Sequence, residues 1–165
     1  MHAIRQVAPG DLAFLQEMLY EAIFTPPGAP RPSRAILDVP EIAGYLAGWG
    51  RPGDRGFIAE VDGKPAGAAW FRCFPAEAPG YGFVRPDIPE LTIAVGLQFR
   101  GCGLGTILLE RLVGCARADR YPGISLSVSP SNPAARLYAR LGFREVGMAG
   151  DSALMLLTWA GVPNG

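Results

Sequence analysis

Three glycines separated by single residues are the feature of this sequence whose spacing most directly indicates binding chemistry. They lie in Arg100-Gly101-Cys102-Gly103-Leu104-Gly105, between an apolar run at residues 91–95 and a helical pattern that begins at Thr106. A glycine-rich turn that opens a helix presents unpaired backbone N–H groups and the positive end of the helix dipole. The stretch therefore predicts a phosphate or pyrophosphate site, to which the Arg100 guanidinium and the Thr106 hydroxyl would contribute.

Two common phosphate-binding patterns do not fit this turn. A P-loop needs a lysine directly after its last glycine, but Thr106-Ile107 follows Gly105. A dinucleotide-binding turn needs Gly-x-Gly-x-x-Gly and an acidic residue after the next strand. The third glycine position is occupied by Thr106 when the pattern starts at Gly101, and by Leu108 when it starts at Gly103. The strand predicted at 124–128 is followed by Ser-Pro and not by an acidic residue. The pattern that fits is Arg-x-x-Gly-x-Gly.

A second stretch, Asn132 to Phe143, combines a helix start with an aromatic side chain. Asn132 followed by Pro133 is typical of a helix N-cap and first helical position, which predicts a helix over 132–140. Tyr138 falls on that helix, where a tyrosine is also typical of a packed core.

Together, the glycine turn and the Asn132, Ala135, Tyr138 and Gly142-Phe143 pattern resemble the GNAT superfamily of acyl-CoA-dependent N-acyltransferases. The resemblance is strongest from Glu90 to Val146. It implies acetyl-CoA as co-substrate, with no metal. The residues that it assigns to cofactor binding are Ile93, Ala94, Val95, Arg100, Gly101, Cys102, Gly103, Leu104, Gly105, Thr106, Asn132, Ala135 and Tyr138.

The resemblance also implies a backbone role for residues 93–95. In the enzymes that this chain resembles, the strand before the turn is bulged and separates from the following parallel strand, so that free N–H and C=O groups hold pantetheine and polarise the thioester. Val95-Gly96 is where we expect the bulge.

Two side chains are predicted to be catalytic. The resemblance implies that Tyr138 protonates the departing thiolate, and a phenol, being protonated at neutral pH, can do so. Glu90, at the start of strand 90–95, would accept a proton from the amine, directly or through water, although a solvent-exposed glutamate at a strand edge is the simpler alternative. Asp87 is a weaker candidate base, and solvent is a third. Cys102 is not expected to be a nucleophile.

The resulting prediction is an enzyme that transfers an acetyl group to a primary amine of a small molecule or peptide by direct attack. The alternative is a catalytically silent acyl-CoA-binding regulatory domain, which the presence of both Glu90 and Tyr138 disfavours. A different nucleotide-binding domain is a third, weaker alternative.

The sequence contains no motif that identifies the acceptor. The walls of the acceptor site are predicted to include loops 25–34 and 75–89 and the aromatic residues Phe24, Tyr45, Trp49, Trp70, Tyr81 and Phe83.

The order of elements predicts an α/β fold with a mixed, mostly antiparallel central sheet flanked by helices, containing a splayed parallel strand pair that holds the cofactor. Strands are expected at 3–7, 57–61, 65–74, 90–95, 124–128, 143–148 and 153–159, and helices from Pro9 to Ile23 and over 41–49, 103–119 and 132–140. Leu104, Leu108, Leu112 and Ala116 share one face of the third helix. One domain is predicted over residues 1–165.

Composition limits the other functions. Fifteen basic residues balance fifteen acidic ones, which argues against a nucleic-acid partner. A single histidine, His2, disfavours histidine-based catalysis or metal binding, and three cysteines without metal spacing predict buried, reduced thiols. No signal peptide or membrane span is recognised, so a cytoplasmic location without a membrane partner is expected. The oligomeric state is open, with a homodimer as one alternative.

Overall fold

The computed structural model describes residues 1–159, and the predicted domain over 1–165 includes residues 160–165, which lie outside that range. Four α-helices are described: α1 (Leu12–Ala22), α2 (Pro40–Ala43), α3 (Leu104–Ala118) and α4 (Ala134–Arg140). Short 3-10 helices span Pro9–Asp11, Arg34–Asp38 and Leu97–Phe99. The strands are β1 (His2–Gln6), β2 (Arg55–Val61), β3 (Lys64–Arg72), β4 (Glu90–Val95), β5 (Gly123–Val128), β6 (Arg144–Ala149) and β7 (Ser152–Thr158).

One seven-stranded sheet, in the order β1-β2-β3-β4-β5-β7-β6, positions the rest of the chain. Every neighbouring pair is antiparallel except β4 and β5, which run parallel and are joined through α3. A parallel pair needs such a crossover because the chain must return to the same edge before the next strand begins. The predicted mixed, mostly antiparallel α/β fold is confirmed.

The two parallel strands meet only at their beginnings. Glu90 opposite Ser125 is the single paired position, and the Ser125 N–H donates to the Pro89 carbonyl over 2.9 Å. Beyond that point β4 and β5 separate, as predicted. The bulge expected at Val95-Gly96 is wrong, because β3 and β4 pair in continuous register and the Gly96 N–H extends the ladder to the Ala66 carbonyl. The separation therefore comes from divergence between two regular strands.

Helices cover both faces of the sheet. Leu104, Leu108, Leu112 and Ala116 of α3 are all buried against one face, which confirms the predicted helix face. The other face packs against α1, through Leu15, Met18 and Leu19. Burial of each leucine removes enough apolar surface from water to contribute about 2 kcal/mol.

The predicted helix over 41–49 is largely wrong, because α2 ends at Ala43 and turns continue to Gly48. Arg72, whose side chain is 1% exposed, binds these turns: its Nη1 donates to the carbonyls of Gly44 and Ala47 at 2.9 and 2.8 Å. Its Nη2 lies 2.6 Å from the buried Asp54 carboxylate. The guanidinium thereby satisfies two carbonyls that a continued helix would pair with later backbone N–H groups.

Two smaller expectations concern membranes and thiols. Among residues 1–159, no helix is long and apolar enough to cross a membrane. Cys73, Cys102 and Cys115 are free, but none is fully buried and Cys102 is exposed, so the expectation of buried thiols is wrong.

Candidate active site

The glycine turn adopts a backbone conformation that requires glycine. Gly101 and Gly103 both have φ of 82°, a left-handed conformation that is unfavourable for residues with a side chain. Gly103 is the N-cap of α3, and no side chain caps this helix end in the described part of the chain. A Cβ added at Gly101 or Gly103 would meet no atom within 4 Å, so the turn is open on its outer side. The first amides of α3 therefore form an uncapped, electropositive end.

Arg100 folds back over its own strand instead of extending from the turn. Its Nε donates to the Val95 carbonyl over 3.0 Å, and its Nη2 lies 3.5 Å from a Glu21 oxygen. Glu21 also accepts from Arg31 over 3.0 Å, so one carboxylate of α1 contacts both the turn and the proline-rich loop. The side chain of Arg100 is half exposed and remains within reach of solvent at the turn.

Asn132 and α4 lie beside the turn. The Asn132 Oδ1 accepts from the Ala134 N–H over 3.0 Å, which is the capping contact that Asn-Pro predicts, although α4 itself begins at Ala134. A Cβ added at Gly105 would lie 3.9 Å from Leu137, so this side of the turn packs close to α4. The two sequence motifs, which are far apart in the chain, are thus neighbours in the fold.

Both motifs follow the carboxyl ends of the separated strands. β4 leads through Leu97–Phe99 into the glycine turn, and β5 leads through Ser129 into Asn132. Ligands of α/β proteins bind where neighbouring parallel strands diverge at their carboxyl ends. The backbone of Ile93, Ala94 and Val95 borders this gap on one side, because β3 pairs with the other edge of β4. The gap and the open helix end form one continuous candidate site.

A cleft of about 140 Å³ lies along this gap. It is lined by α1, α2, the loop between β3 and β4, both parallel strands and α4. The lining residues are Leu19, Ala22, Ile42, Tyr45, Tyr81, Glu90, Leu91, Thr92, Ile93, Leu126, Ser127 and Tyr138. The structure therefore brings Glu90 and Tyr138, the two predicted catalytic side chains, to the same cleft.

Glu90 is only 3% exposed, which excludes the alternative of a solvated glutamate at a strand edge. Its Oε2 accepts from the Tyr45 hydroxyl, and its Oε1 accepts from the Gly82 N–H over 2.9 Å. Burial disfavours the carboxylate more than these two hydrogen bonds favour it, and it raises the pKa of Glu90 to about 7. The same burial and the nearby carboxylate raise the pKa of the Tyr45 hydroxyl.

These contacts also fix the loop over the cleft. The Tyr81 N–H donates to the Tyr45 hydroxyl over 2.9 Å, and the Ser125 hydroxyl donates to the Gly82 carbonyl over 2.7 Å. A Cβ at Gly82 would lie 2.7 Å from Leu126 backbone, and one at Gly80 would collide with Glu90. Sequence reasoning missed this arrangement. The available signal was the pair of glycines flanking Tyr81, since glycine in a loop often marks a close backbone approach.

Tyr138 is 8% exposed, and its ring packs edge-on against Phe143 with centroids 6.0 Å apart. Its hydroxyl makes no hydrogen bond within residues 1–159. Every fully buried side-chain polar atom in that range has a hydrogen-bond partner, so this hydroxyl is not fully buried. The hydroxyl is therefore accessible from the cleft. Burial raises the pKa of Tyr138 to about 12, which keeps the phenol protonated at neutral pH.

The remaining predicted site residues lie elsewhere. Asp87 is exposed, is paired with Arg85 over 2.8 Å, and does not line the cleft. Tyr45 and Tyr81 are the two predicted aromatic walls that do line it, whereas Trp70 is fully buried in the core. Phe24 lines a separate depression with Arg31 and Arg100, and Trp49 lines another beside β2. On the α1 side the wall is helix, through Leu19 and Ala22, and not the predicted loop 25–34.

Comparison with known proteins identifies the family of this chain. A sequence model of the acetyltransferase (GNAT) family matches residues 17–143. The L-2,4-diaminobutyric acid acetyltransferase of Nocardia farcinica is 30% identical over 105 residues, which cover 60% of this chain and 48% of that protein. The aligned region therefore spans about half of the relative's length.

Solved structures show the same fold. The N-acetyltransferase of Staphylococcus aureus Mu50 superposes with a TM-score of 0.69 at 22% identity, covering 96% of this chain and 98% of that one. A GNAT family acetyltransferase of Brucella melitensis, in complex with acetyl-CoA, gives a TM-score of 0.63 at 19% identity, with 99% and 91% covered.

Proposed function

Because this chain belongs to the GNAT acetyltransferase family, we propose that it transfers the acetyl group of acetyl-CoA to a primary amine by direct attack. The observation that carries the proposal is the junction of three features: strands β4 and β5 that separate after one paired position, an uncapped α3 end, and a cleft containing Glu90 and Tyr138. The acceptor is a small molecule or the amino group of a peptide.

The glycine turn would hold the diphosphate end of acetyl-CoA. The amides at the start of α3 supply donors, and the helix dipole favours an anion there. Arg100, 3.5 Å from Glu21, would turn toward the added negative charge. The exposed backbone edge of residues 93–95 would hold the amide-containing arm, and the α4 side of the gap, with Asn132, Ala135 and Tyr138, would complete the site.

Acetyl-CoA supplies the acetyl group as a thioester when it is bound. In the reaction the amine nitrogen forms the new amide bond, the carbon–sulfur bond breaks, one proton leaves nitrogen and one proton reaches sulfur. Glu90 would accept the first proton, since a pKa of about 7 leaves much of the carboxyl ionised at neutral pH. Tyr138 would donate the second from a hydroxyl that faces the cleft.

A silent acyl-CoA-binding domain would share the glycine turn. It would have no use for a proton acceptor and a proton donor in one cleft, so the meeting of Glu90 and Tyr138 favours the enzyme. Release of free CoA in the steady state, measured with a panel of amines that includes L-2,4-diaminobutyric acid, separates the two functions. Mass spectrometry of the products identifies the acceptor.

The cofactor site has a direct test at Gly105, which lies in α3, has no positive φ and leaves ordinary room for a Cβ. Gly105→Asp should keep the fold, because an acidic residue in the first turn of a helix is favourable. It should nevertheless weaken CoA binding by roughly 100-fold or more, because a carboxylate would face the diphosphate.

Gly105→Ala is the matched control, since it adds the Cβ without the charge. Calorimetric titration of both variants with CoA gives the affinities, and thermal unfolding confirms that both are folded. Equal affinities for wild type and a folded Gly105→Asp variant would refute the placement of the diphosphate at this turn.

A further inference from the structure

The cleft offers an amine an apolar environment with a single charged group. Six of its lining side chains are aliphatic: Leu19, Ala22, Ile42, Leu91, Ile93 and Leu126. Among the described residues that line the cleft, Glu90 is the one with a charged side chain, and both of its oxygens already accept hydrogen bonds. The polar side chains that remain are hydroxyl groups of Tyr45, Tyr81, Thr92, Ser127 and Tyr138.

Within residues 1–159, the lining of the cleft contains no lysine, arginine or histidine that could pair with an anionic substrate. Three arginines on nearby loops and strands pair with carboxylates: Arg72 with the buried Asp54, Arg85 with Asp87, and Arg31 with Glu21. A carboxylate that entered the cleft would lose its hydration without gaining a counter-charge, and it would lie near the Glu90 carboxyl.

The space is also limited. A volume of about 140 Å³ is close to that of an engineered apolar cavity of about 150 Å³ that binds benzene. The reacting end of an amine and a short hydrocarbon body fit such a space. The loop held through Gly82 and Tyr45 packs against the backbone of Leu126 and Ser127 and borders the cleft there.

We infer that the acceptor of this chain is a primary amine with an apolar body and no carboxylate near the reacting nitrogen. The inference rests on the proposed acetyl transfer and narrows its acceptor class. Free amino acids are excluded as good acceptors, because their carboxylate would be buried beside apolar side chains and Glu90. An alkylamine meets both the aliphatic walls and the single acidic group.

The test compares three acceptors that share one carbon skeleton. Isoamylamine is leucine without its carboxylate, and leucinamide replaces the carboxylate with a neutral amide of similar size. Wild-type enzyme and acetyl-CoA are used throughout, with CoA release as the readout. We expect kcat/KM for isoamylamine to exceed that for leucine by roughly 100-fold or more, and leucinamide to lie within about tenfold of isoamylamine. L-2,4-Diaminobutyric acid should be as poor an acceptor as leucine.

Each other outcome is decisive. Leucine used as well as isoamylamine would overturn the inference while leaving acetyl transfer intact. Leucinamide as poor as leucine would show exclusion by size, and it would overturn the argument that charge excludes free amino acids. Leucinamide far better than isoamylamine would indicate a peptide amino terminus and would overturn the alkylamine assignment. Binding of CoA with no turnover of any amine would refute the proposed function itself.

Discussion

The buried carboxyl of Glu90 gives the sharpest physical prediction, because its protonation and the stability of the fold must be linked. Replacing it by glutamine, as Glu90→Gln, keeps the shape and an oxygen that accepts from the Gly82 N–H. The amide cannot ionise. Comparing the two proteins across pH therefore isolates the cost of burying a charge at this position.

The magnitude follows from the pKa. Burial moves the pKa of Glu90 from 4.5 to about 7. Between these values the unfolded chain is ionised while the folded chain is still protonated, so the folded state binds more protons and stability falls as pH rises. At 1.36 kcal/mol per pKa unit, the shift corresponds to about 3 kcal/mol. The contribution is fully present below the lower pKa and is lost as pH rises through the higher one.

Urea unfolding of wild type and Glu90→Gln from about pH 4 to about pH 8 measures this difference. The free energy of unfolding of the variant should increase relative to wild type by about 3 kcal/mol over that interval. Glu110→Gln, an exposed glutamate of α3, is the matched control for removing one carboxyl group. A difference between wild type and Glu90→Gln that stays constant with pH would refute the argument that burial dominates the Glu90 site.

Three further predictions address other groups. Tyr138→Phe should lower single-turnover acetyl transfer at saturating acetyl-CoA by roughly 100-fold if the hydroxyl protonates sulfur, with little change in CoA affinity; an unchanged rate would make the residue structural. Gly82→Ala should raise the KM for the amine more than it weakens CoA binding, because its Cβ would lie 2.7 Å from Leu126 backbone and displace the loop; equal changes in both would contradict a role confined to the acceptor side. Asp54→Ala should destabilise the fold by about 3 kcal/mol or more in urea unfolding, because it leaves the buried Arg72 without its counter-charge; a loss below about 1 kcal/mol would show that the carbonyls of Gly44 and Ala47 suffice for this guanidinium.

Local sequence patterns predict most of the architecture. The strands and α3 follow from hydrophobic periodicity, and the glycine turn follows from residues whose backbone conformation, with φ of 82° at Gly101 and Gly103, few other residues adopt. Asn132 caps α4 because Asn-Pro encodes a cap through purely local geometry. Such features depend on residues that are neighbours in the chain, and the sequence alone therefore predicts them.

The parts that the sequence does not predict depend on contacts between distant segments. Glu90 is buried only because Tyr45 and Gly82, from two other segments, close around it. The helix expected over 41–49 ends at Ala43, and the carbonyls of Gly44 and Ala47 accept from Arg72, more than twenty residues away. Periodicity cannot report such contacts. The separation of β4 from β5 without a bulge is equally hidden from the sequence, because the divergence of two strands depends on the whole sheet.

The single paired position between β4 and β5 has a consequence for how the molecule opens. The sheet consists of two ladders, β1 to β4 and β5 to β7, joined by Glu90 and Ser125 and braced by α3, which contacts β2, β3, β4 and β5. We expect the two ladders to exchange amide hydrogens as separate units, because few bonds must break to part them. A ligand that contacts both ladders across the gap would couple them. At a concentration of 100 times its Kd, such a ligand stabilises the state in which the ladders are joined by about 2.7 kcal/mol. Binding of the co-substrate between β4 and β5 would then make the two ladders open together as one cooperative unit.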